Sequence, residues 1–160
     1  MNPVPHGTTG QLAVRGPTGC TYLDDPRQQK YVRNGWNLTG DAYQMDEEGF
    51  FWFQARSDDM IISSGYNIAG PEVEAALMAH PSVSECAVVG IPDEERGSLV
   101  KAFVVLLDGT EENEAMKQTL QDFVKKTIAP YKYPRSIEFR KSLPKTETGK
   151  IQRFRLREEG

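Results

Sequence analysis

Four stretches of this 160-residue chain carry residue types that could do chemistry. In the first, Arg56, Asp58 and Asp59 lead into a short apolar strand, Met60 to Ile62, and a turn at Ser63, Ser64 and Gly65. Gly65 can take backbone angles forbidden to a side chain, or let a ligand approach the main chain. A solvated turn between two elements explains the same spacing equally well. The second is Asp41, at a Gly-bounded turn in GWNLTGD. Its carboxylate could accept hydrogen bonds from a sugar diol, although Asp in a turn usually serves its own backbone. The third is Lys150, directly after Gly149 in a polar loop. An ammonium there is suited to neutralising charge on a phosphoryl group. The fourth is the basic tail, where Lys145, Lys150, Arg153, Arg155 and Arg157 face a single Glu147. That tail reads either as a phosphate or nucleic-acid patch or as a solvated basic helix. Only Phe154 interleaves the cations, which argues against a stacking platform for single strands.

Other chemistries are excluded. GTTG at Gly7 to Gly10 has no following Lys and leads into a strand, and Gly149-Lys150 lacks the remaining glycine and the Ser or Thr of a phosphate loop. A formal net charge of −4 gives no reason to expect a whole-chain nucleic-acid binder. No apolar run reaches the roughly 18 residues of a membrane helix. MNPVPHGTTG has neither the basic start nor the apolar core of a secretory signal, so a cytoplasmic location is expected. Cys20 and Cys86 make no disulfide framework, and no metal site is expected from the chain's own residues.

The elements that must position these groups follow from patterning. Leu12 to Val14 predicts a strand, Gly16-Pro17 and Gly19 a turn, and Asp24 to Tyr31 a short helix or turn. Gly35 to Tyr43 predicts a strand interrupted at Thr39-Gly40-Asp41. A hairpin turn at Asp46 to Gly49 returns through Phe50 to Phe53. These few short strands are hard to close into a domain. Past the turn at Gly65 the chain is expected to enter a helix directly at Gly70-Pro71, running to Ala79 with Glu72 and Glu74 near its positive end. Strands follow at Glu85 to Ile91 and Val100 to Leu107, the latter apolar enough for burial on both faces. A helix from Glu112 to Ile128 places Met116, Leu120, Phe123 and Val124 on one face. Ser136 to Phe139 predicts the last strand and Ile151 to Arg157 the last helix. The order β-α-β-β-α-β predicts a small α+β domain, one sheet covered by helices.

In order, these segments resemble the C-terminal portion of the AMP-forming acyl-CoA synthetases, the adenylate-forming superfamily. The resemblance is carried by GQLAVRGP (Gly10 to Pro17), GWNLTGD (Gly35 to Asp41), EEGFFWFQARSDDMIISSGYNIAGPEVE (Glu47 to Glu74), HPSVSECAVVGIPDEERG (His80 to Gly97), KAFVVL (Lys101 to Leu106), APYKYPR (Ala129 to Arg135) and LPKTETGKIQR (Leu143 to Arg153). Within the family the chain looks most like the benzoate- and 2-aminobenzoate-CoA ligases, with medium-chain fatty-acid enzymes as near neighbours. The resemblance implies two steps: a carboxylate and ATP give acyl-adenylate and pyrophosphate, then CoA displaces AMP. It also implies a division into residues 1–57, a trailing β-rich segment of the large adenylating domain, and 58–160, a mobile C-terminal domain.

Position by position, the resemblance implies that Asp41 and Arg56 bind ATP and that Asp58 is the hinge. Lys150 enters the active site for adenylation. Ser64, Gly65 and Tyr66 line the pantetheine path, while Arg96, Lys125, Tyr133, Pro134 and Arg135 hold CoA. Magnesium comes with ATP. Two departures stand out: Leu38 and Asn67 occupy positions where many relatives have Arg, and neither supplies its charged fork. The family's phosphate loop, its acyl pocket and most of its adenine site would lie upstream of Met1. The chain is therefore expected to be inactive alone and to need that upstream polypeptide as its partner. A non-catalytic CoA- or nucleotide-binding module is the alternative, and oligomeric state is left open.

Overall fold

The structure, a computed structural model, describes residues 2–17, 23–26 and 28–159. Gly19 and Cys20 lie outside the described residues. The chain divides into two compact units, Met1–Asp58 and Asp59–Gly160.

In the first unit the long strand β3 (Trp36–Met45) is central. It pairs antiparallel with β1 (Thr9–Val14), β2 (Val32–Arg33) and β4 (Phe51–Arg56). A one-turn helix, α1 (Gln28–Tyr31), precedes β2. The break expected at Thr39-Gly40-Asp41 does not occur. Gly40 at φ 80° is taken up as an irregularity, and pairing with β1 shifts register there while the strand continues. Asp46 closes the β3–β4 hairpin: its Oδ1 accepts the Glu48 and Phe50 N–H groups, and its Oδ2 accepts Trp52 Nε1–H at 2.7 Å. Those bonds, Trp52's first, hold the Asp46 carboxyl below its ordinary pKa. Among the described residues of this unit only Leu38, Ala42 and Ala55 are buried apolar side chains, while Phe50, Phe51, Trp52 and Phe53 are all more than half exposed.

The second unit opens with a hairpin, β5 (Met60–Ser63) and β6 (Tyr66–Ala69). Strand β6 was not expected from the sequence. The two turn residues between the strands, Ser64 and Gly65, both have positive φ, 49° and 80°. That is the type I′ signature, whose twist matches paired strands. Helix α2 (Gly70–Met78) follows at once, with Pro71 in its first turn. A three-stranded sheet then forms in the order β7 (Val83–Asp93), β8 (Gly97–Leu106), β9 (Ser136–Phe139), with β8 and β9 parallel. Helix α3 (Glu114–Thr127) crosses between β8 and β9, started by Asn113, whose side chain accepts the Met116 N–H. The last helix, α4 (Arg153–Glu158), begins two residues later than expected, because Ile151 is engaged in a bridge with Lys145.

Alternation along β7 and β8 builds two cores. Cys86, Val88, Val100, Ala102 and Val104 point to one face and pack with β5, β6, α2 and α3 through Ile61, Ile68, Val73, Leu77, Leu120 and Val124. Ala87, Val89 and Phe103 point to the other and pack with Leu143, Ile151 and Leu156. The apolar run of β8 is thus buried on both faces, and the domain is α+β.

Candidate functional site

In the first unit, cross-strand pairing sets Asp41 of β3 directly opposite Arg56 of β4. The guanidinium lies between two carboxylates, with Nη1 3.4 Å from Asp41 and Nε 3.6 Å from Asp58. Gly40 leaves it room, since a Cβ there would approach Arg56 Nη2 to 3.3 Å. These contacts are long and largely exposed, so they bind the side chains weakly. An Arg held so loosely can exchange a carboxylate for a phosphate. Leu38 is buried in the core of this unit, so position 38 supplies packing here rather than a ligand contact.

In the second unit the β5–β6 turn presents Ser64, Gly65 and Tyr66. Arg96 is held against it: Ser64 N–H donates to the Arg96 carbonyl at 2.9 Å, and Arg96 Nη1 donates to Ser64 Oγ at 3.3 Å. Tyr66 stacks on Tyr131 with ring centroids 4.4 Å apart. Next to Tyr131, Lys132 bonds both oxygens of Glu72 at 2.6 Å. The Tyr133 ring carries two cations, Lys125 Nζ 4.4 Å and the Arg135 guanidinium 4.9 Å from its centroid. Arg135 also donates to Tyr133 Oη at 2.8 Å. Pro134 is fully buried, so its ring cannot meet a ligand; it fixes the backbone between its two neighbours. Sequence reading missed Tyr131 and the Glu72–Lys132 pair. Nothing local marks them, because Lys132 finds a partner 60 residues away.

Lys150 sits on a tight hairpin between Lys145 and Ile151. Thr146 N–H donates to the Lys150 carbonyl at 2.8 Å, Lys150 N–H to Thr146 Oγ1 at 3.1 Å, and Gly149 supplies the φ of 81° that the turn requires. Its side chain is exposed, and no carboxylate among the described residues pairs with it. The stems of the hairpin are pinned: Lys145 pairs with Glu85 at 2.7 Å, and beyond Ile151 Arg153 forms a fork onto Glu74, with bonds of 3.0 and 2.7 Å. Glu74 also accepts the Val88 N–H at 2.8 Å on the free edge of β7. The hydrogen bond to Glu74 raises the Arg153 pKa above its ordinary value. One turn on, Arg157 bonds Asp59. Beside the Glu74–Arg153 pair, burial, reinforced by Glu74, pushes the Cys86 thiol up to about 12. The sequence marked Glu74 only as an acidic residue at a helix start and Arg153 only as part of a basic tail.

Among the described residues no group of three or more His, Cys, Asp and Glu side chains could hold a metal ion, and no helix is long and apolar enough to cross a membrane.

The fold matches the C-terminal domain of adenylate-forming enzymes, and residues 72–150 match the family described as "AMP-binding enzyme C-terminal domain". Its relatives are acyl-CoA synthetases. It is 52% identical over 155 residues to an uncharacterized acyl-CoA ligase of Bacillus subtilis (strain 168), covering 94% of this chain and 29% of the relative. It is 49% identical over 163 residues to a mitochondrial acyl-coenzyme A synthetase of Rattus norvegicus, covering 96% of this chain and 28% of that protein. Among solved structures, an anthranilate CoA ligase in complex with anthranoyl-AMP superposes with a TM-score of 0.80 at 40% identity, over 98% of this chain and 31% of the other. The chain thus spans less than a third of the length of these relatives and aligns with their C-terminal part.

Proposed function

We propose that this chain is the C-terminal portion of an ATP-dependent, AMP-forming acyl- or aryl-CoA ligase, and that it acts only with the polypeptide preceding it in such enzymes. The carboxylate substrate attacks the α-phosphorus of ATP, releasing pyrophosphate. The CoA thiol then attacks the acyl carbon of the adenylate, releasing AMP. Asp41 and Arg56 hold the nucleotide. Asp58 is the hinge, a reading supported by the division of the chain after that residue. Residues 1–57 then complete a large adenylating domain, which suits their thin core and exposed aromatics, and 58–160 form the mobile domain. Magnesium enters with ATP.

One observation carries the reading. The Lys150 hairpin rests on the core of one sheet face, through Leu143, Ile151 and Leu156. The hairpin bearing Ser64, Gly65 and Tyr66, and the Tyr133 ring, pack on the core of the opposite face. The second unit therefore offers the exposed ammonium of Lys150, unpaired among the described residues, on one side. On the other it offers hydroxyls, tyrosines and the cations Arg96, Lys125 and Arg135. That division suits two sequential half-reactions with different charge demands. The ammonium stabilises charge developing at the α-phosphate, and the opposite surface takes the phosphates and pantetheine of CoA.

Lys150→Ala in the full-length ligase tests this. Acyl-adenylate formation should fall by about 10²- to 10³-fold, the cost of one preorganised electrostatic contact. Thioester formation from supplied acyl-adenylate should stay within a few-fold. Equal losses in both half-reactions would refute the assigned role. The 160-residue chain alone should show no carboxylate-dependent exchange of pyrophosphate into ATP.

For the substrate we favour benzoate or 2-aminobenzoate, supported by the similarity to the anthranilate CoA ligase. A medium-chain fatty acid is the alternative, and AMP release with each acid in turn separates them. We place the protein in the cytoplasm, although several relatives are mitochondrial, and fractionation of the native cell distinguishes the two.

A further inference from the structure

We propose that the Glu74–Arg153 fork, seconded by Asp59–Arg157, is a positioning clamp that holds Lys150 in the place adenylation requires. The inference rests on the ligase role of Lys150 given above.

Helix α4 has six residues, too few to be stable as an isolated helix in water. Its placement must come from anchors. Leu156, 1% exposed, is the apolar one. Arg153 and Arg157, four residues apart and so on one face, are polar ones, and Glu159 at the helix end accepts from Arg140 Nη2 at 2.9 Å. The carboxylates that meet Arg153 and Arg157 come from the opposite end of the unit's sequence: Glu74 from α2 and Asp59 from the residue before β5. The Arg153 and Glu74 side chains are 24% and 13% exposed. A planar fork with both bonds made and partly withdrawn from water fixes direction as well as distance, which an ammonium cannot reproduce.

The clamp lies close to the residue it would position. Arg153 is three residues from Lys150, and the backbone between them is already committed by the Lys145–Ile151 bridge and by the Gln152 N–H donating to the Pro144 carbonyl. A shift of Arg153 therefore moves the base of the hairpin. Glu74 cannot yield in its place, because the same carboxylate bonds the edge of β7. Misplacing a catalytic group by about 1 Å can cost about 100-fold in rate. Asp59 adjoins the proposed hinge residue, so the second pair ties the end of α4 to the start of the mobile unit.

Arg153→Lys is the informative variant: it keeps the charge and loses the fork. In the full-length ligase, acyl-adenylate formation should drop about 10-fold with KM for ATP unchanged, and thioester formation from supplied acyl-adenylate should stay within twofold. In the 160-residue chain, amide exchange over Thr146 to Lys150 should quicken about 10-fold while α3 exchanges as before. Val124→Ala, in the opposite core, is the control for mere destabilisation and should leave the ratio of the two half-reactions unchanged. If Lys150→Ala is selective for adenylation while Arg153→Lys spares both half-reactions or lowers them equally, the clamp is refuted and the role of Lys150 stands. Unchanged exchange over the hairpin would refute it as well. If Lys150→Ala is itself unselective, the ligase role of Lys150 fails first.

Discussion

Alkaline pH should destabilise the second unit through one buried thiol. Cys86 is 4% exposed, lies beside the Glu74–Arg153 pair and has its pKa pushed up to about 12 from an ordinary 9.0. The unfolded chain sheds this proton from about pH 9, and the folded chain holds it until about pH 12. Over that interval the unfolded state binds fewer protons, so stability falls as pH rises; below pH 9 the contribution is complete. Each pH unit within the interval removes about 1.4 kcal/mol. At pH 10, one unit above the unfolded value, the loss relative to pH 8 is about 1.4 kcal/mol. That is a large share of a small domain's total of about 5–15 kcal/mol. Urea unfolding followed by circular dichroism at 222 nm reads this unit, because α2, α3 and α4 all lie in it. Alkaline pH acts on the whole protein, so the comparison is with Cys86→Ala, both proteins carrying Cys20→Ala. The stability difference between them should shift by about 1.4 kcal/mol between pH 8 and pH 10, in the direction that erodes the cysteine form. Parallel curves would show that the folded unit accommodates the thiolate, and the reasoning from burial would be wrong.

Two packing predictions accompany it. Gly70→Ala would set a Cβ 3.1 Å from the Val88 carbonyl oxygen and 3.5 Å from that of Asp59, both backbone atoms. It should cost about 1–3 kcal/mol by overpacking, despite Ala's advantage of about 1 kcal/mol in a helix; a rise in melting temperature would contradict the close approach. Asn113→Ala removes the acceptor for the Met116 N–H at the start of α3 and should cost about 1 kcal/mol, recovered by Asn113→Asp. No recovery would mean that the cap is not what Asn113 contributes.

Much of the second unit was legible from its sequence because it is local or periodic. Short, largely apolar runs identified β7 and β8, a 3.6-residue stripe identified α3 through Leu120 and Val124, and Pro71 marked the start of α2. The misses share one cause. Strand β6 has no apolar alternation of its own; it exists because a type I′ turn folds it onto β5. The bulge at Gly40 reads as a break until two neighbouring strands hold β3 continuous through it.

The sequence by itself determined the residue types at each station: a Lys after Gly149, an Asp at position 41, hydroxyl and Gly at the β5–β6 turn, and the elements carrying them. It also carried the family resemblance, which depends only on order and spacing. The tertiary structure alone decided which face each group serves. The side of the sheet on which Lys150 or Tyr133 lies depends on strand pairing across residues far apart in the chain. The Glu74–Arg153 fork spans 79 residues, and no local pattern encodes a partner at that range. The sequence shows Glu74 only as an acidic residue at a helix start and Arg153 only as one cation of a basic tail, and the packing of α4 against β7 brings the two into a partly buried bond.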